Sequence, residues 1–335
     1  MRKLRVAIIG YGGIARAHNT AYANLSGEGF PLELVAVCDR DASRITAKLN
    51  FNLGGVDTPL PETVHIYSDI DELIAKEDFD VADVCLPTFL HKEVSVKLLL
   101  AGKHTLCEKP MALSSADCAE MISAANKSGK RLMIAQVLRF DRAYVYLKEI
   151  VDGGSLGSLD NIYMERHSVY PGWGASFADN SVTGGCALDT HIHDVDMARY
   201  LLGEPDSVFA TEFNNPPSYQ AVTTTLRFGG STAVINCSWD ASYVKPFTFG
   251  FKARFEKGTV TCEDGVVRLT KLGEAPSPVN LPETDGVTEE IRHFLTLVLN
   301  GGENSKNPPK SSAASVALVE KIRESSTSAR VIALK

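Results

Sequence analysis

Between residues 5 and 137, short and almost uninterrupted apolar runs alternate with segments of helical periodicity. Apolar runs of this kind are what a parallel β-sheet covered on both faces requires, because both sides of each strand are buried. The alternation of strand and helix predicts an α/β domain with a doubly wound parallel sheet. The predicted strands are residues 5–10, 32–38, 81–86, 105–108 and 131–137.

After residue 140 the pattern changes. Strand-like runs between residues 159 and 270 follow one another closely through glycine turns such as Gly229-Gly230, which predicts an antiparallel meander. A helix over 186–202 interrupts them, and two helices and a short strand finish the chain. The polar stretch 301–312 is expected to be an exposed, mobile loop. We therefore predict two domains, residues 1–138 and 139–335.

Composition narrows the class of protein. The 34 Lys and Arg against 41 Asp and Glu give a net charge of −7, which argues against a nucleic-acid or membrane partner. No apolar run approaches the ~18 residues that span a bilayer, and the N-terminal stretch lacks signal-peptide features. The seven cysteines are an odd number, and several lie in apolar runs. They are typical of reduced thiols, so we expect a cytoplasmic protein.

A nucleotide-binding signal follows the first predicted strand, where Gly10-Tyr11-Gly12-Gly13-Ile14-Ala15 forms a G-x-G-x-x-A fingerprint that opens a helix. Gly10 allows the tight turn, and Gly12 lets a pyrophosphate approach the backbone at a helix N-terminus. The alternative is a glycine-rich turn without a ligand. Asp39 ends the second strand, where a carboxylate accepts hydrogen bonds from the adenosine ribose. That carboxylate favours NAD over NADP, although Arg40 could instead pair with a 2′-phosphate.

Two further segments carry candidate catalytic groups. Lys109 follows the strand 105–108 at the carboxyl edge of the sheet, where a lysine can act in acid–base chemistry or orient a substrate hydroxyl. The alternative is a solvated surface charge. Asp189 and His193 are i and i+4 on the helix predicted over 186–202, an arrangement in which a carboxylate raises the basicity of an imidazole. An exposed acidic helix is the alternative. A metal site with His191 is less favoured, and we predict none.

Five motifs, taken in their order along the chain, resemble those of the glucose–fructose oxidoreductase / inositol dehydrogenase / MocA family. They are the G-x-G-x-x-A turn, Pro87…His91, Glu108-Lys109-Pro110, Arg139-Phe140 and Gly-Gly-x-x-x-Asp189-x-x-x-His193. The resemblance implies an N-terminal NAD(P)-binding Rossmann domain. It also implies a C-terminal α+β domain for substrate binding and oligomerisation, with a large open, mostly antiparallel sheet.

The resemblance also assigns roles to residues. It implies that Lys109, Asp189 and His193 are catalytic, with the histidine or the lysine transferring the proton, and that the Lys109–Pro110 peptide is cis. We expect His193 to be the base. It places Leu86, Thr88, Phe89 and His91 along the cofactor and Glu108 near the nicotinamide ribose. Arg139, Arg166 and Trp173 are candidate substrate residues, although packing on the sheet explains Arg166 and Trp173 equally well.

Three functions remain open on the sequence. The first is a dehydrogenase or reductase acting with NAD, or with NADP, on a secondary hydroxyl of a sugar, inositol or related polyol. The second is a glycosidase-type hydrolase in which a retained NAD is transiently reduced, and the third is a non-catalytic NAD-sensing regulator. An open sheet needs its free face buried, so we also expect a homodimer or homotetramer.

Overall fold

A computed structural model describes residues 2–46, 58–171, 177, 179–243 and 247–335. The chain divides into two compact units. The first comprises Met1–Val137 and Asp285–Ala313, and the second comprises Leu138–Thr284 and Ala314–Lys335. No described helix is both long enough and apolar enough to cross a membrane.

The first unit is built on a six-stranded sheet in the order β3-β2-β1-β4-β5-β6, and all of its strand pairs are parallel. This is the strand order of a dinucleotide-binding Rossmann fold, with the change of direction next to β1. The strands are β1 Leu4–Ile9, β2 Leu32–Cys38, β3 His65–Tyr67, β4 Val81–Val84, β5 His104–Glu108 and β6 Leu132–Ala135. The helices are α1 Gly13–Gly27, α2 Ser43–Thr46, α3 Ile70–Lys76, α4 Thr88–Leu100 and α5 Ser115–Ser128.

The second unit is built on a nine-stranded mixed sheet in the order β14-β13-β12-β11-β7-β10-β9-β8-β15. Its pairs are antiparallel except for β7 with β10. The strands are β7 Leu159–Ser168, β8 Ser207–Asn215, β9 Tyr219–Phe228, β10 Ser231–Asp240, β11 Phe247–Phe255, β12 Gly258–Glu263, β13 Val266–Lys271, β14 Ser277–Pro278 and β15 Ile332–Ala333. Its helices are α6 Arg142–Gly153, α7 Asn180–Thr183, α8 Gly185–Asp189 and α9 Ile192–Leu202. Two more helices follow in the chain. Helix α10, Gly286–Asn300, belongs to the first unit, and α11, Pro309–Ser328, contains the boundary between the units at 313/314.

The division differs from the predicted ranges in one segment. Residues 285–313 belong to the first unit, although the sequence pattern groups them with the second domain. The reason is hydrophobic: Ile291 and Phe294 of α10 lie fully buried in the same core cluster as Tyr22 of α1. The polar stretch 301–312 also differs from the expected exposed loop. Asn307 is fully buried, and its side-chain amide donates to the carbonyl oxygen of Ile134 over 2.6 Å.

The predicted helix over 186–202 is two helices, α8 and α9, separated at Thr190. The backbone N–H of His191 donates to the carbonyl oxygen of Cys186, five residues back, instead of the usual four. The imidazole of His191 turns into the core, where Nε2 lies 2.9 Å from the Thr224 hydroxyl. Asp189 therefore ends one helix and His193 lies in the first turn of the next. The predicted single helix is therefore interrupted between these two residues.

Candidate functional site

The nucleotide turn of the first unit runs from the end of β1 into α1. Gly10 has φ +87°, and a Cβ placed on it would lie 2.7 Å from the carbonyl oxygen of Cys85, so the turn itself requires glycine. Gly12 is different, because its φ is −83° and a Cβ there would meet nothing within 4 Å. The chain does not need glycine at this position, whereas a pyrophosphate approaching the N–H groups that open α1 does. The turn therefore fits a dinucleotide.

Asp39 lies beside this turn and is nearly buried. One of its carboxylate oxygens accepts from the backbone N–H of Tyr11 at 2.7 Å, and the other accepts from the N–H of Asp41 at 2.9 Å. These bonds hold the carboxylate at the carboxyl end of β2. That position suits an acceptor for ribose hydroxyls. Arg40, the next residue, is exposed.

The turn after β4 carries the residues that the family resemblance places along the cofactor. Thr88 is buried at the start of α4, Leu86 is half-buried, and Phe89 is exposed. His91 is buried, and its ring joins two segments. Nδ1 lies 2.8 Å from the carbonyl oxygen of Pro110, and Nε2 lies 2.7 Å from that of Leu86. His91 thus links the turn after β4 to the turn after β5 through its own hydrogen bonds.

Lys109 follows β5 at the same carboxyl edge, and its peptide bond to Pro110 is cis, as the resemblance implies. The backbone N–H of Lys109 donates to Oε2 of Glu108 at 3.0 Å. Because β1, β4 and β5 are parallel neighbours, Gly10, Leu86 and Lys109 all follow strand ends at one edge. The first unit therefore brings the nucleotide turn and the candidate catalytic lysine to the same edge of its sheet.

In the second unit, Asp189 and His193 are half-buried at the junction of α8 and α9. Thr190 anchors this junction: its hydroxyl accepts from the indole N–H of Trp239 at 2.8 Å and lies 3.3 Å from the Asp189 carboxylate. Burial and the charge of Arg166 lower the pKa of His191 to about 3, so this neighbouring imidazole is neutral. Asp189 and His193 are thus supported by a packed junction that sequence spacing does not reveal.

Arg139 and Arg166, two of the candidate substrate residues, are used inside the second unit. The Arg139 guanidinium bonds both oxygens of Asp196 at 2.8 Å, and the Arg166 guanidinium bonds both oxygens of Asp194 at 2.8 and 3.0 Å. Both arginines are buried, and each is paired bidentately with an aspartate of the same unit. We therefore assign them to packing. Trp173 lies outside the described residues.

His18 lies outside the predicted site residues and is fully buried on α1. Its signal is positional: Ala15, His18, Tyr22 and Leu25 share one apolar stripe of the helix, and a histidine in such a stripe needs polar partners. His18, Asp83 and Cys85 also form the one group of three possible metal ligands in the described part of the chain. However, His18 Nδ1 already lies 2.8 Å from Asp83 Oδ2, a hydrogen-bonding distance.

Comparison with known proteins identifies the family. A model of an oxidoreductase family with an NAD-binding Rossmann fold matches residues 4–136. A model of the GFO/IDH/MocA C-terminal domain matches residues 144–267. These matches confirm the predicted fold class, and the first also confirms NAD as the predicted cofactor.

Individual proteins give the same result. Inositol 2-dehydrogenase of Salmonella typhimurium is 34% identical over 227 residues, which are 67% of this chain and 61% of that protein. The match thus spans less than two thirds of that relative. Myo-inositol 2-dehydrogenase of Thermotoga maritima is 32% identical over 251 residues, 70% of this chain and 74% of that protein. The structure of aldose-aldose oxidoreductase from Caulobacter crescentus superimposes with a TM-score of 0.84 at 25% identity, covering 99% of this chain and 100% of that one. Because both parts of the chain match one family in the same order, the protein belongs to the glucose–fructose oxidoreductase / inositol dehydrogenase / MocA family of oxidoreductases.

Proposed function

We propose that this protein is an NAD-dependent dehydrogenase or reductase that acts on a secondary hydroxyl of a sugar, inositol or related polyol. The observation that carries the proposal is the shared sheet edge of the nucleotide turn after β1 and Lys109 after β5. The names of the relatives, two inositol dehydrogenases and an aldose oxidoreductase, support the substrate class.

The reaction divides between cofactor and protein. NAD, held at the turn after β1, would supply the acceptor for the hydride, that is, the carbon-bound hydrogen with its electron pair. The hydroxyl proton leaves to the imidazole of His193, and a carbonyl forms as the C–H and O–H bonds break. Asp189 orients that imidazole or holds the substrate, and Lys109 polarises the reacting oxygen. In the reduction direction, His193 returns the proton to the carbonyl oxygen.

The choice of NAD over NADP depends on Asp39. Its carboxylate is held by two backbone N–H donors at the carboxyl end of β2, where it would accept from ribose hydroxyls and repel a 2′-phosphate. Arg40, exposed beside it, is the group that could favour the phosphate. We assign the preference to Asp39 because its position is fixed by the fold, whereas an exposed arginine side chain is not.

A panel of sugars and polyols, each supplied with NAD⁺ and separately with NADP⁺, tests the proposal through the absorbance of reduced nicotinamide. We expect net NADH to accumulate with at least one polyol and to exceed NADPH. Release of an aglycone from glycosides without net reduction would instead indicate the hydrolase. Tight NAD binding without turnover on either class would indicate the regulator.

Replacing Lys109 by alanine tests its role in the proposed reaction. We expect Lys109→Ala to lower kcat by about 10²–10⁴-fold, the usual contribution of an acid–base group, with little change in the Kd for NAD. Lys92→Ala is the matched control, because Lys92 lies in the same unit and pairs with Asp117 and Glu120 on the surface. Full activity of Lys109→Ala would refute the assignment.

A further inference from the structure

A buried polar network lies beneath the nucleotide-binding edge of the first unit, and His18 is at its centre. Nδ1 of His18 lies 2.8 Å from Oδ2 of Asp83 on β4, and Nε2 lies 3.1 Å from Oε1 of Glu108 on β5. His18 and Asp83 are completely buried, and Glu108 is 8% exposed. A single imidazole on α1 therefore contacts side chains of two neighbouring strands, β4 and β5.

Asp83 also has hydrogen-bond donors other than His18. The Tyr22 hydroxyl donates to Oδ2 of Asp83 at 2.8 Å, and the Cys85 thiol donates to Oδ1 at 3.6 Å. Both ring nitrogens of His18 lie within hydrogen-bond distance of a carboxyl oxygen, and an imidazolium, which donates from both nitrogens, satisfies the two contacts together. Burial alone would lower the pKa of His18, but Asp83 and Cys85 more than offset it, and the pKa lies well above 6.5.

Other titratable groups facing this network agree with one buried positive charge. Burial, Glu108 and Asp83 raise the pKa of Glu290 on α10 well above 4.5, which favours its uncharged form. Burial raises the pKa of the Cys85 thiol to about 12, so it also stays protonated. The imidazolium of His18 thus stands between two carboxylates, with neutral Tyr22, Cys85 and Glu290 around them.

The network reaches the candidate catalytic lysine through Glu108. One oxygen of Glu108 accepts from His18, and the other accepts from the backbone N–H of Lys109 at 3.0 Å. A carboxylate held at both oxygens has a fixed orientation, and it fixes the backbone that carries Lys109. His18 also sits on α1, the helix that opens at the nucleotide turn.

We propose that His18 is a positioning residue for the proposed reaction: as an imidazolium bonded to Asp83 and Glu108, it orients Glu108 and, through it, Lys109. The expected effect on kcat rests on the proposed function, whereas the bonds of His18 do not. His18 connects the helix that receives the cofactor phosphates with the strand end that carries the catalytic ammonium group. Misplacing a catalytic group by about 1 Å can cost on the order of 10²-fold in rate.

Two substitutions of similar shape each keep one of the two hydrogen bonds of His18 and remove the other. The amide nitrogen of Gln matches the position of Nε2 and keeps the bond to Glu108, whereas that of Asn matches Nδ1 and keeps the bond to Asp83. We expect His18→Gln to retain kcat within a few-fold, and His18→Asn to lose on the order of 10²-fold in kcat with the Kd for NAD nearly unchanged. Tyr22→Phe, which removes only the hydroxyl bond to Asp83, is the control and should retain kcat.

The outcomes decide the proposal. Equal kcat losses in His18→Asn and His18→Gln, in step with lowered melting temperatures, would show a structural role and overturn it. Independently of turnover, ¹⁵N NMR of the wild-type ring should show two protonated nitrogens at about pH 7. A neutral ring would overturn the proposal even if the enzyme is active. If no substrate is turned over, the proposed function fails while the NMR result still decides the charge of His18.

Discussion

At the scale of single residues, three buried carboxyl groups of the first unit, those of Asp83, Glu108 and Glu290, lie around the imidazole of His18. Asp83 and Glu108 have hydrogen-bond donors, but neither side-chain oxygen of Glu290 has a hydrogen-bond partner among the described residues. A buried carboxylate without donors is costly, so Glu290 keeps its proton in the folded state. Glu290 therefore makes folding sensitive to pH.

We expect Glu290→Gln to stabilise the protein increasingly as pH rises. The folded-state pKa of Glu290 lies well above its ordinary 4.5, so the folded wild type binds a proton that the unfolded chain has lost. The contribution of Glu290 to the free energy of unfolding is then fully present below pH 4.5 and is lost as pH rises through the folded pKa. Glutamine does not titrate and escapes this loss.

Urea unfolding of both proteins across a pH series measures the effect of Glu290→Gln. Glu289→Gln removes a half-exposed carboxylate one position earlier on α10 and controls for the loss of a glutamate from this helix. A stability difference between wild type and Glu290→Gln that stays constant with pH would contradict the buried neutral acid.

At the scale of elements, α9 is held in the second unit by buried ion pairs. Asp194 bonds Arg166 of β7, and Asp196 bonds Arg139 and also accepts from the Ser315 hydroxyl of α11 at 2.7 Å. Burial alone would lower the pKa of Arg166, but Asp194 more than offsets it and raises the value. These pairs set the position of α9, the helix that begins just before His193.

Removing one partner of the Arg139–Asp196 pair should be strongly destabilising. Arg139→Met leaves a buried carboxylate without its cation, and we expect a loss of about 3–5 kcal/mol in the free energy of unfolding. The double variant Arg139→Met, Asp196→Leu should recover most of it, because no charge then remains unpaired. Lys321→Met, in the exposed Lys321–Glu324 pair of α11, is the control and should change little.

Denaturant unfolding of these four proteins gives the comparison. If Arg139→Met unfolds like the wild type but loses substrate affinity, then the assignment of Arg139 to packing is wrong and its earlier interpretation as a substrate residue is restored.

At the scale of the whole molecule, the nine-stranded sheet exposes aromatic side chains. A cross-strand row on one face places Phe209 of β8, Thr225 of β9, Val234 of β10 and Tyr163 of β7 in register. Phe209 is 41% exposed and Tyr163 is 38% exposed, and Phe213, further along the same strand as Phe209, is 63% exposed. Exposed aromatic side chains on an open sheet favour association with another protein surface.

We expect this face to form the contact of a homodimer or of a pair within a homotetramer. Light scattering of the purified protein should give a mass of at least two chains, and Phe209→Glu with Tyr163→Glu should lower that mass. Leu272→Glu, at an exposed position after β13, is the control and should leave the mass unchanged. A wild-type protein that is monomeric at all concentrations would contradict the expectation.

Local patterns account for much of the fold. The apolar runs predicted the parallel strands because a strand buried on both faces is apolar over consecutive residues. Strands β7 and β11 lie within 159–270, the range in which the pattern predicted closely spaced strands. The three-residue β3 was missed because its pattern is mostly exposed. The start of α3 is fixed by Asp69, whose carboxylate accepts from the backbone N–H groups of Asp71 and Glu72.

By itself, the sequence determined the Rossmann sheet, the glycine turn, the position of Asp39 and Lys109 at strand ends, and the family. Each of these follows from residues close together along the chain. Only the tertiary structure decided that 285–313 returns to the first unit, that Thr190 and His191 interrupt a helix, and that Arg139 and Arg166 are already paired. The same holds for the bonds of His18 to Asp83 and Glu108, which are 65 and 90 positions away. The physical reason is that a buried charge is stabilised by whichever groups folding brings to it, and no local periodicity records that choice.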